Sequence, residues 1–172
     1  MTGVASIESI LTDPTSHNVT IKYDTLHPQT LVASADDPRI QQLLLLASHS
    51  NNRDSDVVLD SIELLKDRAG DDDVRDALIS ALRYDRNPGV RLKSLDGLKG
   101  YVRNDKNVRN AVLDALLHDD NSGVRDEAIG LLDPVKADSS VREALEILAK
   151  SDPNQFIRTQ SQRYLASTPH LD

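Results

Sequence analysis

The sequence predicts an all-α fold, a right-handed α-solenoid of about five stacked antiparallel helix pairs. Three observations predict it. An aliphatic residue is followed directly by arginine six times, at Val74-Arg75, Val90-Arg91, Val108-Arg109, Val124-Arg125, Val141-Arg142 and Ile157-Arg158. The intervals are 16, 18, 16, 17 and 16 residues, so alternate members recur every 33 or 34. Within each interval the apolar residues follow helical spacing, and a turn opening on aspartate separates successive stripes.

Taken in order, residues 3–30 read as a degenerate N-terminal capping pair. Ile7-Glu-Ser-Ile-Leu-Thr-Asp13 overlays Leu113-Asp-Ala-Leu-Leu-His-Asp119 position for position, and Val19, Tyr23 and Leu26 keep the 4 and 7 spacing of a helix. Val19-Thr-Ile-Lys-Tyr23 also alternates strictly and is rich in β-branched residues, which leaves a strand open there. Residues 29–36 are expected to be a linker. The unit 38–69 follows: Asp36 and Asp37 cap, Pro38 occupies the first turn, Ile40, Leu43, Leu44 and Ala47 form one stripe, and Val57, Ser61, Ile62, Leu64 and Leu65 the other. Here Val58 takes the place of arginine.

Unit 72–104 places Val74, Ala77, Leu78, Ala81 and Leu82 on its first helix and Val90, Leu95 and Leu98 on its second, across the turn Asp85-Arg-Asn-Pro-Gly89. Unit 106–137 repeats this with Val108, Ala111, Val112, Ala115 and Leu116, then Asp119-Asp-Asn-Ser-Gly123, then Val124, Ala128, Leu131 and Leu132 before Pro134 ends the helix. Unit 139–168 closes the array with Val141, Ala144, Leu145, Leu148 and Ala149, then Ile157, Ser161, Tyr164 and Leu165. In the last three units the turn aspartate lies five residues before the aliphatic that opens the second helix. All five units form one continuous domain over 1–172.

The arginines have a structural role in this reading. Asp85, Asp119 and Asp152 stand six residues before Arg91, Arg125 and Arg158. Each guanidinium forks onto that aspartate or onto its equivalent in the next unit, making an Asp–Arg ladder along the stack.

The pattern Asp-x-Asn-x-x-Val-Arg followed by spaced Ala and Leu resembles the HEAT repeat, in particular the bacterial HEAT-like form also found in phycobiliprotein lyases. The resemblance covers 72–168 well, 38–69 fairly and 3–30 weakly, and it implies the solenoid fold and a surface for binding proteins. Three stretches, Val19 to Leu26, Asp37 to Leu44 and Ala81 to Lys93, are similar to the C-terminal HEAT-like region of bacterial membrane-anchored, zinc-finger, anti-sigma-factor-like proteins. In that family a zinc-binding segment and one transmembrane helix precede the repeats. Neither stands in this sequence, so the resemblance implies an excised extracytoplasmic part; a free-standing chain with Met1 as its start would instead be cytoplasmic.

Composition narrows the chemistry. The chain has 172 residues, 38% hydrophobic, with one Phe, four Tyr and no Trp, so its core is aliphatic. The formal charge of −8 repels phosphate backbones and argues against nucleic acid. There is no cysteine, hence no disulfide and no thiolate ligand. No apolar run reaches the ~18 residues of a membrane span, and Thr2 to Leu11 lacks the basic and apolar regions of a signal peptide. The histidines, at 17, 27, 49, 118 and 170, form no metal-ligand spacing, and no phosphate cradle or nucleophile elbow occurs. Asp71-Asp-Asp73 precedes Val74 at a helix start, where the dipole favours acids, so capping accounts for it better than calcium.

The expected function is therefore non-catalytic protein recognition, with no cofactor and no metal. The second helices of such solenoids line the concave face. Their outward positions are Asp60 and Glu63, Lys93 and Asp96, Asp126 and Glu127, and Gln160 and Arg163. The acidic middle of that set predicts a basic protein or peptide partner. The alternative is a bilin-lyase-like or other small-ligand-binding enzyme accessory, for which Tyr84, Tyr101 and Tyr164 are few aromatics. The sequence leaves oligomeric state open.

Overall fold

The computed structural model describes residues 6–15, 18–24, 29–49 and 55–167. From residue 38 onward these form four antiparallel helix pairs: α1 (Pro38–His49) with α2 (Ser55–Leu65), α3 (Asp72–Tyr84) with α4 (Pro88–Leu98), α5 (Lys106–His118) with α6 (Ser122–Leu132), and α7 (Ser139–Ser151) with α8 (Gln155–Ala166). Short 3-10 turns at Lys66–Arg68, Lys99–Tyr101 and Asp133–Val135 join one pair to the next. First helices pack in the row α1, α3, α5, α7 and second helices in the row α2, α4, α6, α8. This is an α-solenoid: each pair buries its aliphatic stripes only against its neighbours.

The sequence motif explains each corner. The side chain of the turn aspartate accepts the backbone N–H of the asparagine two residues on, at 2.7 Å for Asp85–Asn87, 2.8 Å for Asp119–Asn121 and 2.7 Å for Asp152–Asn154. That asparagine then caps the second helix, accepting from Gly89, Gly123 or Phe156. Asp71, Asp105 and Asp138 cap α3, α5 and α7 in the same manner. Ser61, Ser94 and Ser161 stand in the buried stripe of their helices, where each hydroxyl donates to a carbonyl three or four residues back and leaves no polar group unpaired.

Two rows of arginine link the units. Arg91 donates from Nε and Nη2 to both oxygens of Asp119 at 2.7 Å, and Arg125 grips Asp152 at 2.8 and 2.9 Å. Of the two partners open to Arg91 and Arg125, the structure selects the aspartate of the next unit. The aspartate of each arginine's own turn supplies instead a backbone carbonyl, which accepts from Nη1. Arg158, expected to fork likewise, donates instead to the Asp152 and Pro153 carbonyls and meets no carboxylate among the described residues. On the first-helix row, Arg75 reaches Asp105 at 2.8 Å and Arg109 approaches Asp138 at 3.8 Å. Arg91, Arg125 and Asp152 are buried.

The N-terminal region corrects the sequence reading. Residues 3–30 do not form a helix pair, and 29–36 is not a linker. β1 (Ser6–Thr12), β2 (Asn18–Asp24) and β3 (Gln29–Ser34) make an antiparallel sheet in the order β1-β2-β3. Residues 3–5, 16–17 and 25–28 of that expected pair lie outside the described residues. The alternation of Val19 and Ile21, both fully buried, with Thr20 and Lys22 decides for a strand. The helical appearance of β1 has a specific cause. The register slips between Ile7 and Ser9, so Ile7 pairs with Tyr23 and Ile10 with Ile21. In a regular strand residues 7 and 10 face opposite sides; the bulge turns both into the core and reproduces a helix-like spacing of three. The sheet packs on α1 and α2 and covers the first end of the array.

Candidate partner-binding surface

The eight residues expected to face a partner fall into three positions along the second helices. Asp60, Lys93, Glu127 and Gln160 stand three residues after the aliphatic that opens each helix, and Glu63, Asp96 and Arg163 six after it, with Gly130 in the same place on α6. These two positions share a face, because three residues nearly complete a turn. Asp126 stands two after Val124, in the position of Leu59 and Leu92, about 100° around the helix. It is half-buried and belongs to a different face from Glu127.

Across α2 and α4 the charges are tied together. Lys93 contacts Glu63 at 2.6 Å, Lys66 bridges Glu63 at 2.9 Å and Asp96 at 3.0 Å, and Lys99 holds Asp96 at 2.8 Å. The hydrogen bond from Lys93, then that from Lys66, holds the Glu63 carboxyl below its ordinary value. Lys99 and then Lys66 do the same for Asp96. Glu63 and Asp96 in turn raise Lys66. Lys66 and Lys99 escaped the sequence reading because both sit in the 3-10 turns between units, outside the helical pattern. Their signal was spacing: each lies three residues after an acid of the outer row, Glu63 or Asp96. Gly97 lets α4 approach this junction, since a Cβ there would lie 2.9 Å from Lys66 Cβ and from Leu78 Cδ1.

Toward the other end the row changes character. Among the described residues no ion pair within 4.0 Å engages Asp126, Glu127 or Arg163. Phe156, 53% exposed, lines an open depression on α8 with Gln155, Thr159, Gln160 and Arg163. The corresponding residue on α4 and α6 is glycine, so this aromatic is particular to the last unit. At the opposite end Asp60, Glu63 and Leu64 border a small pocket with Ile10, Leu11 and Thr12 of β1. The acidic middle expected from sequence thus narrows to α6, because lysines compensate Glu63 and Asp96.

His118 is exposed and lies 3.0 Å from Asp114. His17, His27 and His170 lie outside the described residues. Among the described residues no three His, Cys, Asp or Glu gather as metal ligands, and no helix is long and apolar enough to cross a membrane.

The family model described as HEAT repeats matches residues 75–166, more than half of the chain. The chain belongs to the HEAT-repeat family. No curated protein and no solved structure matches it. HEAT repeats generally mediate protein–protein interaction, which fits a non-catalytic role and protein partners. The matched segment contains α4, α6 and α8, so three of the four rungs of the second-helix row belong to recognised HEAT units.

Proposed function

We propose that this HEAT array is a non-catalytic recognition module that binds a protein or peptide along the second-helix row. The observation that carries the reading is the graded row itself. Compensated charge on α2 and α4 gives way to Glu127 on α6 and then to Phe156, Gln160 and Arg163. An exposed aromatic beside an arginine, as at Phe156 and Arg163, is a composition enriched at interface centres. Glu127 favours a basic side chain on the partner, and the encounter weakens with salt.

The test places a photo-crosslinking amino acid at Glu127 or Gln160 on second helices, and at Asp76 or Asn110 on first helices. Discrete protein adducts are expected from the first two positions. Adducts confined to the first-helix positions would sink the reading. Similarity of residues 19–26, 37–44 and 81–93 to anti-sigma-like proteins extends the proposal to an extracytoplasmic sensor or scaffold of a membrane-anchored regulator. Reading the gene upstream of Met1 tests that extension: a Cys/His-rich segment and a transmembrane helix support it, and a stop codon there removes it. Stabilisation by several degrees from one chromophore or small molecule would favour the lyase-like accessory role instead.

A further inference from the structure

The junction between the first two helix pairs holds an open cavity of about 220 Å³. The 3-10 turn after α2 brings Lys66 and Asp67 to it, while α4 and the turn that follows bring Asp96, Lys99, Gly100 and Tyr101. Its walls come from two units stacked inside the array, not from either end of it. The next junction is furnished differently. Counted from the valines that open α4 and α6, Asp96, Gly97, Gly100 and Tyr101 correspond to Gly130, Leu131, Pro134 and Val135. Gly97 has a packing reason, since a Cβ there would strike Lys66 Cβ at 2.9 Å. Gly100 has none: among the described residues a Cβ there meets nothing within 4 Å, and its backbone is not left-handed. A position left bare without a backbone reason keeps room for the close approach of a ligand.

The polar groups of the cavity are only partly spent. Lys66 holds Glu63 at 2.9 Å and Asp96 at 3.0 Å, and Lys99 holds Asp96 at 2.8 Å. An ammonium carries three donors, so Lys99 keeps two and Lys66 one. The Tyr101 hydroxyl and the Asp67 carboxylate make no hydrogen bond or ion pair among the described residues. The Tyr101 ring is held by the Arg75 guanidinium, 5.3 Å from its centroid. Unspent donors at Lys99 and Tyr101 thus share one small space with an unspent acceptor at Asp67. Lys66 and Lys99 balance Asp67 and Asp96, so an ion of either sign leaves the site charged. A molecule carrying both signs does not.

We propose that this cavity binds a free α-amino acid, with its carboxylate on Lys99 and the Tyr101 hydroxyl, its ammonium on Asp67, and its backbone atoms over Gly100. The site goes beyond recognition along the second-helix row, which rests on Glu127, Gln160 and Arg163. Its size fits, since drug-sized ligands occupy about 300–1,000 Å³ and this space is smaller. Its frame is preorganised. Asp96 tethers both lysines and Arg75 backs the tyrosine, so little side-chain freedom remains to be lost on binding. The cavity is open, so the side chain of the ligand points outward, and the site reads the paired charges rather than the side chain.

The experiment titrates the isotope-labelled full chain with L-alanine, and separately with sodium acetate and methylammonium chloride, at fixed ionic strength. NMR follows the amide signals of Gly97 and Gly100 and the ring signals of Tyr101. L-Alanine is expected to give saturable shifts confined to this cavity. Acetate and methylammonium should each bind roughly tenfold more weakly, because each keeps only one of the two charged contacts. Asp67→Asn should weaken L-alanine roughly tenfold and leave acetate unchanged, since only the ammonium end meets Asp67. Tyr101→Phe keeps the ring against Arg75 and should weaken both ligands. Gly100→Leu fills the open space, should melt with the parent, and should lose the saturable shifts. Shifts from L-alanine that do not saturate, or that persist in Gly100→Leu, overturn the proposal. So does acetate binding as tightly as L-alanine, which would make this a site for anions alone.

Discussion

Replacing Arg125 with alanine isolates one rung of the ladder. Arg125 is 7% exposed and Asp152 4% exposed, and the two share hydrogen bonds of 2.8 and 2.9 Å. The substitution leaves the buried Asp152 carboxylate with the Asn154 N–H as its remaining donor, and it frees the Asp119 carbonyl that Nη1 held at 2.8 Å. Removing one side of a buried ion pair costs about 3–5 kcal/mol. For a chain of this length each kcal/mol moves the melting point by about 2–4 °C, so the variant should melt roughly 6–20 °C below the parent. Among the described residues Arg158→Ala removes hydrogen bonds to two carbonyls, at a cost of about 1 kcal/mol. Lys150→Ala, at an exposed site, should fall within about 0.5 kcal/mol of the parent. Lys136 is a poorer control, because it bonds Asp133 at 2.9 Å and lies 3.4 Å from Ser167. Far-UV circular dichroism with heat and with urea provides the measurement. The double variant Arg125→Ala/Asp152→Ala should lose less than the sum of the two single variants, since no charge is then left unpaired. If Arg125→Ala melts with Arg158→Ala and Lys150→Ala, the inter-unit fork does not stabilise the stack.

Four further outcomes test other parts of the structure. Gly97→Ala drives a Cβ to 2.9 Å from Lys66 Cβ and Leu78 Cδ1, and this overpacking costs about 1–3 kcal/mol, whereas Gly130→Ala meets nothing within 4 Å and should gain about 0.5–1 kcal/mol in urea unfolding. Ile21→Ala in the sheet, at 0% exposure, should lose about 2–5 kcal/mol, while Val32→Ala, at 60%, should lose under about 0.5 kcal/mol; equal losses would mean the sheet does not seal the helices. Asp37 is held at about 2 by the side-chain hydrogen bond from Arg39, so its carboxyl resonance should titrate there and return toward 3.8 in Arg39→Ala. Glu63 and Asp96 are also depressed in the folded chain, so their contribution to stability is present above the ordinary carboxylate range and is lost as pH falls through their folded values. The urea midpoint should therefore decline below about pH 4.5.

The sequence alone determined the helix pairs after residue 38, because their information is local. Apolar spacing sets the buried stripe, and Asp-x-Asn sets both the turn and the cap through bonds spanning two residues. It also determined that Arg91 and Arg125 would meet aspartates, since a regular stack leaves only two candidates for each. Only the tertiary structure decided which candidate, because the choice depends on how far one unit is set from the next. It decided the sheet for a similar reason. A bulge one residue long makes Ile7 and Ile10 look helical, and pairing with Val19 and Ile21 overrides that local spacing. On the second-helix row, sequence placed Asp60, Lys93, Glu127 and Gln160 together by period but put Asp126 with them, although one residue of offset turns it to another face. Lys66 and Lys99 joined Glu63 and Asp96 from turns that periodicity does not read. Arg158 reads in the sequence like Arg91 and Arg125, and only the stack shows which of these forks a carboxylate of the described residues fills.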